Sequence, residues 1–458
     1  MATVEVARPN EGVDNLMLGY SDLRSLQTRR PLVIARGDGI RVIDENGKAY
    51  IESCASFFNA SFGYSEHELA EAAYEQFKLM PLYSSAAHRT VDVVLRLTEM
   101  LTARLPLPKA HISYCCSGTE ANDYAVKFMR YRNVYEGKAA KRKVISRQNS
   151  YHGSTVVDSS LGGAKGLHDS FALDMTDYRF VTQPDYFNNR LEGESEPEFV
   201  ARLAKELEEV IQEAGPETIG MFFAEPICFS SGLTPPPDGY WPAMKAVLDR
   251  YDILHMDDEV ITGFGRTGDW TAVDNTLGFK PDLMTLAKGI SASYFPFAVT
   301  VIADDVYQGM LKGNDIQHGF HHAGTLHGHP VGAAIVIRVI ELMEERRILE
   351  HVREMIPVLH KGIHAWRGHE AIADTRAVGL AGAIQLDPAA FGPKGEENRG
   401  HMGQRLLEVC MERGLIVRPR GDSVIIGPPL IATAADYEEI FALLQQGVKD
   451  LQEEMRRG

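Results

Sequence analysis

The sequence has 458 residues, of which 44% are hydrophobic and 24% charged, so it is long and apolar enough to bury a large core without disulfides or a structural metal. Forty-seven Lys and Arg against sixty-three Asp and Glu give a net charge of −16, which argues against nucleic acid or an anionic membrane surface as a main partner. Cys54, Cys115, Cys116, Cys228 and Cys410 form no CxxC pair and read as reduced thiols of a cytoplasmic protein, and neither a leader's apolar core nor a membrane-length run is expected.

In chain order, residues 32–53 predict short strands with a turn at Glu45-Asn46-Gly47. Nearly continuous apolar runs follow at Val144–Ser146, Ile219–Ala224, Ile253–Met256, Leu283–Leu286 and Phe297–Ile302. Such runs suit strands buried on both faces of a mostly parallel sheet. Phe199–Ala214 and Trp241–Tyr251 read as amphipathic helices between them. Pro235-Pro236-Pro237 is a stiff turn, Val331–Met343 a helix, and Gly392–Gly400 a polar loop. Leu380–Leu386 and Ser423–Ile426 read as late strands. The pattern is α/β. It predicts a large domain over 75–330 and a smaller α+β domain built from 1–74 and 331–458.

Three local signals carry chemistry. Ser117-Gly118-Thr119-Glu120 follows the apolar stretch His111–Cys116 and fits a capping box. Ala121, Tyr124, Ala125 and Phe128 then share one helical face. The free N–H groups and positive dipole end of such a helix suit a phosphate, although an ordinary capped helix has the same pattern. His255-Met256-Asp257-Asp258-Glu259-Val260 sets three acids at the carboxyl end of a buried strand, where α/β folds bind ligands. A strand cap or a Mg²⁺ site would also fit. Lys288 follows the apolar run Leu283–Leu286. A desolvated lysine has a depressed pKa and can form a Schiff base; a snorkelling lysine would be inert. Together the three match what pyridoxal phosphate needs: an anion site, a carboxylate for the ring nitrogen and an amine for the aldehyde.

The sequence resembles the class III, or omega, aminotransferases of the fold-type-I pyridoxal-phosphate enzymes. SGTEAND at 117–123, YHG at 151–153, AEP at 224–226, DEVITGFGRTG at 258–268, LAKG at 286–289, TLHGHP at 325–330 and GLIVRP at 414–419 carry the resemblance in the family's order. GDGIRVIDENGKAYIE at 37–52 and GDSVIIGPPL at 421–430 extend it more weakly. The resemblance implies a fold-type-I large domain with a mostly parallel sheet and a pyridoxal 5'-phosphate cofactor. It implies that Lys288 is the Schiff-base lysine, that Asp258 partners the ring nitrogen, and that Ser117, Gly118 and Thr119 form the phosphate cup, completed by Thr325 of a neighbouring subunit. Tyr151 and Val260 would flank the ring, with His152 and Glu225 beside the cofactor. Arg418 would meet a substrate carboxylate. Phe57, Phe58, Tyr83 and Tyr151 suggest an aromatic substrate wall, although aromatics more often belong to the core. No metal is implied.

Departures from the family pattern are Cys116, where Asn is frequent, and Asp257, where a small or apolar residue is frequent. A Trp frequent in amine-accepting members falls at Phe58 or Phe57. Arg420 competes with Arg418 as the carboxylate arginine, because alternate residues of an extended segment share a face. The implied activity is transfer of an amino group from a primary amine or omega-amino acid to a keto acid, with pyruvate the expected acceptor, by a ping-pong mechanism. An aminomutase or decarboxylase of the same superfamily is the alternative. The expected partners are a small-molecule amine and keto acid, within a homodimer or dimer of dimers that shares active sites.

Two decoys stand apart. Gly263-Phe264-Gly265-Arg266-Thr267-Gly268 spells GxGxxG but neither follows a strand directly nor opens a helix. His318, His321, His322, His327 and His329 fit no zinc spacing and are expected to serve packing and hydrogen bonding.

Overall fold

β-branched and aromatic runs became strands because nothing polar in them had to reach water. In the computed structural model, which describes residues 15–28, 30–273 and 279–457, the chain forms three sheets. Residues 1–14, where a leader would lie, are outside the described residues. β1 (Ile34–Asp38), β2 (Arg41–Asp44) and β3 (Ala49–Glu52) form a meander. The central sheet contains β4 (His111–Cys115), β5 (Lys143–Arg147), β6 (Tyr178–Val181), β7 (Ile219–Ala224), β8 (Leu254–Asp258), β9 (Leu283–Leu286) and β10 (Ala298–Ile302). A third sheet holds β11 (Ile372–Val378), β12 (Ala381–Leu386), β14 (Arg418–Arg420) and β15 (Ser423–Ile426), while β13 (Leu415–Ile416) pairs with β3 and ties late chain to early chain.

The central order is β4-β10-β9-β8-β7-β5-β6. Four pairings are parallel, but β10 runs antiparallel to both β4 and β9. The sheet is thus mostly parallel with one reversed strand. Every residue of β7, β9 and β10 is buried, which explains their unbroken apolar character. The helix Gly118–Tyr135 packs on one face, across β7, β9 and β10. The helix Tyr240–Arg250 takes the other, where Trp241 stacks on His255 of β8 with centroids 5.2 Å apart.

The helix Pro330–Glu345 is buried almost all round, as its run of Val and Ile requires. Gly392–Gly400 is not all loop: Gly392–Glu397 is a short helix, whose Gly395 lies against the Pro388 carbonyl. Polar composition hid it. Among the described residues no helix is long and apolar enough to cross a membrane.

The reversal of β10 has a positional consequence. The carboxyl ends of β4, β5, β7, β8 and β9 all emerge along one sheet edge. That edge receives Ser117, Tyr151, Glu225, Asp258 and Lys288 within a few residues of their strands.

Candidate active site

A cavity of about 390 Å³ opens at this edge, lined among others by Ser117, Gly118, Thr119, Tyr151, His152, Glu225, Asp258, Val260 and Lys288. Residues spread over 170 positions meet there because each follows a strand of the same sheet.

The anion end comes from the helix Gly118–Tyr135. Ser117 is its N-cap, and its Oγ accepts from the Glu120 N–H at 3.2 Å. The Glu120 carboxylate reaches back to the Cys116 N–H at 2.6 Å, completing a capping box shifted by one residue. The helical ladder starts with Ala121 N–H to Ser117 O at 3.0 Å. The N–H groups of Gly118 and Thr119 precede that ladder and remain for a ligand in the cavity. Gly118 is there for space: a Cβ would stand 3.1 Å from Val260 Cγ2 and 3.3 Å from Ala287 Cβ.

The acid end settles which of two adjacent carboxylates faces the cavity. Neighbours on a strand point to opposite faces. Asp258 lines the cavity, whereas Asp257 is fully buried and lacks a hydrogen-bond partner for either carboxylate oxygen. Burial first, then the charges of Glu259 and Asp258, hold the Asp257 carboxyl well above the usual range. Asp258 is held from three sides. Its Oδ2 accepts from Asn122 Nδ2 at 3.0 Å and pairs with His152 Nδ1 at 2.8 Å, and its Oδ1 accepts from the Val260 N–H at 3.1 Å. Asn122 is fully buried, donates also to the His152 carbonyl and accepts from Thr285 Oγ1.

Lys288 starts a one-turn helix with φ of +45°, a left-handed conformation that costs a non-glycine residue energy and is characteristic of functional sites. Burial lowers its amine to about 8, with Asp258 opposing and the Arg418 charge assisting. The amine therefore gives up its proton far more readily than an ordinary lysine, as a nucleophile or base requires.

Glu225 forms the remaining wall. Arg147, buried and ending β5, donates to its Oε2 at 2.8 Å, and the Tyr151 N–H donates to its Oε1 at 3.1 Å. Burial alone would raise this carboxyl; His152, Arg147 and these hydrogen bonds more than offset it and hold it low. Asp158, also beside the site, goes the other way: burial and the Asp123 charge push it up to about 9.

Some expected residues stand elsewhere. Phe58 does not line the cavity; its ring packs edge-on against Phe229, 4.9 Å away, and Phe229 is the lining residue. Tyr83 and Thr325 are exposed and outside the cavity of their own chain, joined to one strip by Ser84 Oγ donating to the Thr325 carbonyl at 2.8 Å. Arg418 also lies outside it, with its guanidinium 4.3 Å from the Phe57 ring centroid. Arg420 is bonded through Nε to the Ser230 carbonyl.

Asn122, Arg147 and Asp158 were not singled out from sequence. The one available signal was a polar Asn122 beside the apolar face of its helix. The GxGxxG stretch is a tight turn with φ of +105° at Gly265 and +91° at Gly268. His327 pairs with Tyr124 and with the Gly324 N–H, and His329 caps the helix Pro330–Glu345.

The donor set fits pyridoxal phosphate: two free backbone N–H groups at a helix start, a fixed carboxylate, and a desolvated amine around one cavity of ligand size.

Residues 24–448 match the family model described as aminotransferase class-III. The putrescine–pyruvate aminotransferase of Pseudomonas aeruginosa is 33% identical, covering 94% of each chain. The mitochondrial gamma-aminobutyrate transaminase 1 of Oryza sativa subsp. indica is 36% identical over 92% of this chain and 82% of its own. Among solved structures, the omega transaminase of Pseudomonas jessenii in complex with PMP superposes with a TM-score of 0.95 at 35% identity, covering 99% of this chain and all of that one. The PMP-bound aminotransferase of Vibrio fluvialis gives a TM-score of 0.92 at 33% identity, covering 97% and 98%.

Proposed function

The chain belongs to the class III aminotransferases, which depend on pyridoxal phosphate, and from that premise we propose that it moves an amino group from a primary amine or omega-amino acid to pyruvate, in two half-reactions that alternate at one site. The observation that carries the reading is the convergence of Lys288, Asp258 and the open helix start at Gly118 on a single cavity. The names of the Pseudomonas aeruginosa and Oryza relatives support amines with a terminal amino group as donors and, for the former, pyruvate as acceptor.

When bound, the cofactor supplies a carbonyl for the amine to join and a ring that withdraws electrons from the substrate's Cα. The chain's own residues do the rest. Ser117, Gly118 and Thr119 hold the phosphate. Asp258, fixed by Asn122 and His152, would offer its carboxylate to the ring nitrogen and favour its protonated form. Tyr151, Val260 and Glu225, which line the cavity, would hold the ring. Lys288 would take up the proton that leaves the substrate's Cα, which its lowered pKa permits. Arg418 receives the keto acid's carboxylate through a bidentate fork, and it can move because among the described residues no hydrogen bond holds it as one holds Arg420.

We assign a homodimer or dimer of dimers in which Thr325 completes the neighbouring phosphate cup and Tyr83 contributes to the neighbouring substrate wall. The exposed apolar strip of Tyr74, Phe77, Leu79, Leu82 and Leu326 supports a second copy as the cover for this face. The test of the reaction is a screen of amine donors against pyruvate. Alanine formation without release of carbon dioxide is expected. Carbon dioxide, or a rearranged amine with no alanine, would favour the decarboxylase or aminomutase reading instead.

A further inference from the structure

Residues 55–58 form a strained turn beside the cavity. Ala55, Ser56 and Phe58 all have positive φ, at 46°, 62° and 61°. Three such non-glycine residues in four are costly, and the surrounding bonds must hold them. Glu52 Oε1 accepts from the Cys54 N–H at 3.1 Å, and Asn59 Oδ1 accepts from the Phe57 N–H at 2.8 Å. The effect is to separate two adjacent aromatics. Phe58 turns inward onto Phe229, while Phe57 stays 49% exposed.

The exposed ring has a specific neighbour. β13 pairs with β3 so that Ile416 lies opposite Glu52, and two residues later Arg418 opens β14. Its guanidinium carbon sits 4.3 Å from the Phe57 centroid, well inside cation–π range. Among the described residues the guanidinium makes no hydrogen bond and no ion pair within 4 Å. Arg418 is nonetheless close enough to the cavity for its charge to act on Lys288.

We propose that Phe57 is a specificity-setting residue, the rest platform that holds Arg418 out of the cavity while an uncharged donor group occupies it and releases the guanidinium to a keto-acid carboxylate. This rests on the carboxylate-binding role given to Arg418 above. The strength of the contact is what suits it to the task. An exposed cation–π contact is weak enough to be exchanged for a bidentate carboxylate, which binds the guanidinium more strongly. A buried ion pair would lock the arginine, because separating it leaves uncompensated charge. Without the platform, the guanidinium would sample the cavity during the amine half-reaction, where its charge meets an apolar donor group.

The test uses the holoenzyme with pyruvate and benzylamine, measured in separate half-reactions. Phe57→Leu keeps the apolar volume and removes the π face. It is expected to raise the ratio of the benzylamine KM to the pyruvate KM by roughly two- to five-fold, the scale of one exposed cation–π contact. Phe57→Trp should restore the parent ratio or lower it, and the Phe57→Leu effect should vanish in an Arg418→Ala background. An unchanged ratio in Phe57→Leu, or an equal shift with and without Arg418, would overturn the platform. Equal loss of both half-reactions in Arg418→Ala alone would instead overturn the carboxylate role on which it stands.

Discussion

Removing the amine of Lys288 should make the cofactor-free protein more stable, and the gain should disappear at high pH. The amine is lowered from 10.5 to about 8, chiefly by burial. Each unit of such a shift is about 1.4 kcal/mol of penalty against the charged form, so the full cost of a charged Lys288 is about 3 kcal/mol. Water in the open cavity screens part of it, and about 2 kcal/mol is the expected net. The sign follows from linkage. Below pH 8 both the folded and unfolded chains carry the charge and the penalty is complete. Between 8 and 10.5 the folded chain releases its proton while the unfolded chain keeps it, so stability rises with pH. Above 10.5 the penalty is gone. Lys288→Met preserves the volume and carries no charge. Urea unfolding of the cofactor-free parent and variant at pH 7, 8, 9 and 10 should show the variant ahead by about 2 kcal/mol at pH 7, with the two curves converging toward pH 10. A variant less stable than the parent, or a difference independent of pH, would refute a desolvated lysine and with it the basis for a neutral amine at this position.

Two other substitutions separate structure from chemistry. Arg418→Ala should raise the pyruvate KM by roughly ten- to a hundredfold, the loss of a charged hydrogen-bonded pair, and change the benzylamine half-reaction far less; stopped-flow measurement of each half-reaction distinguishes the two. Ser117→Ala removes the cap on Glu120 N–H and should cost about 1 kcal/mol of stability in denaturant, together with faster loss of cofactor on dialysis. Stability loss without faster cofactor release would mean that Ser117 only caps.

The strands β5 and β7 to β10 were readable because they are buried on both faces, and that demand writes itself as an apolar run; β6, whose Tyr178, Arg179 and Phe180 are only half-buried, offered no such run. Direction was not. Val299 and Val301 are as apolar in an antiparallel strand as in a parallel one, so nothing in Phe297–Ile302 announced the reversal of β10. Site residues were readable where they follow such runs, as Asp258 and Lys288 do. Which of Asp257 and Asp258 faces the cavity depends on where the strand's alternation begins, and composition does not mark that point. The different directions taken by Phe57 and Phe58 have a similar origin. A regular strand or helix would have fixed their relative directions, but a turn of positive-φ residues obeys neither period. Asn122 escaped because a helical face is recognised by its apolar members, and one buried amide among Ala121, Ala125 and Val126 reads as noise until its three partners are seen.

The cofactor is expected to be joined to the protein at one amine, that of Lys288. Treating the holoenzyme with borohydride, digesting it and mapping the fragments by mass spectrometry measures this directly. A pyridoxyl mass increment confined to the peptide carrying Thr285-Leu286-Ala287-Lys288 is the expected result. An increment on any other lysine, or none from a protein that still exchanges amino groups, would contradict it.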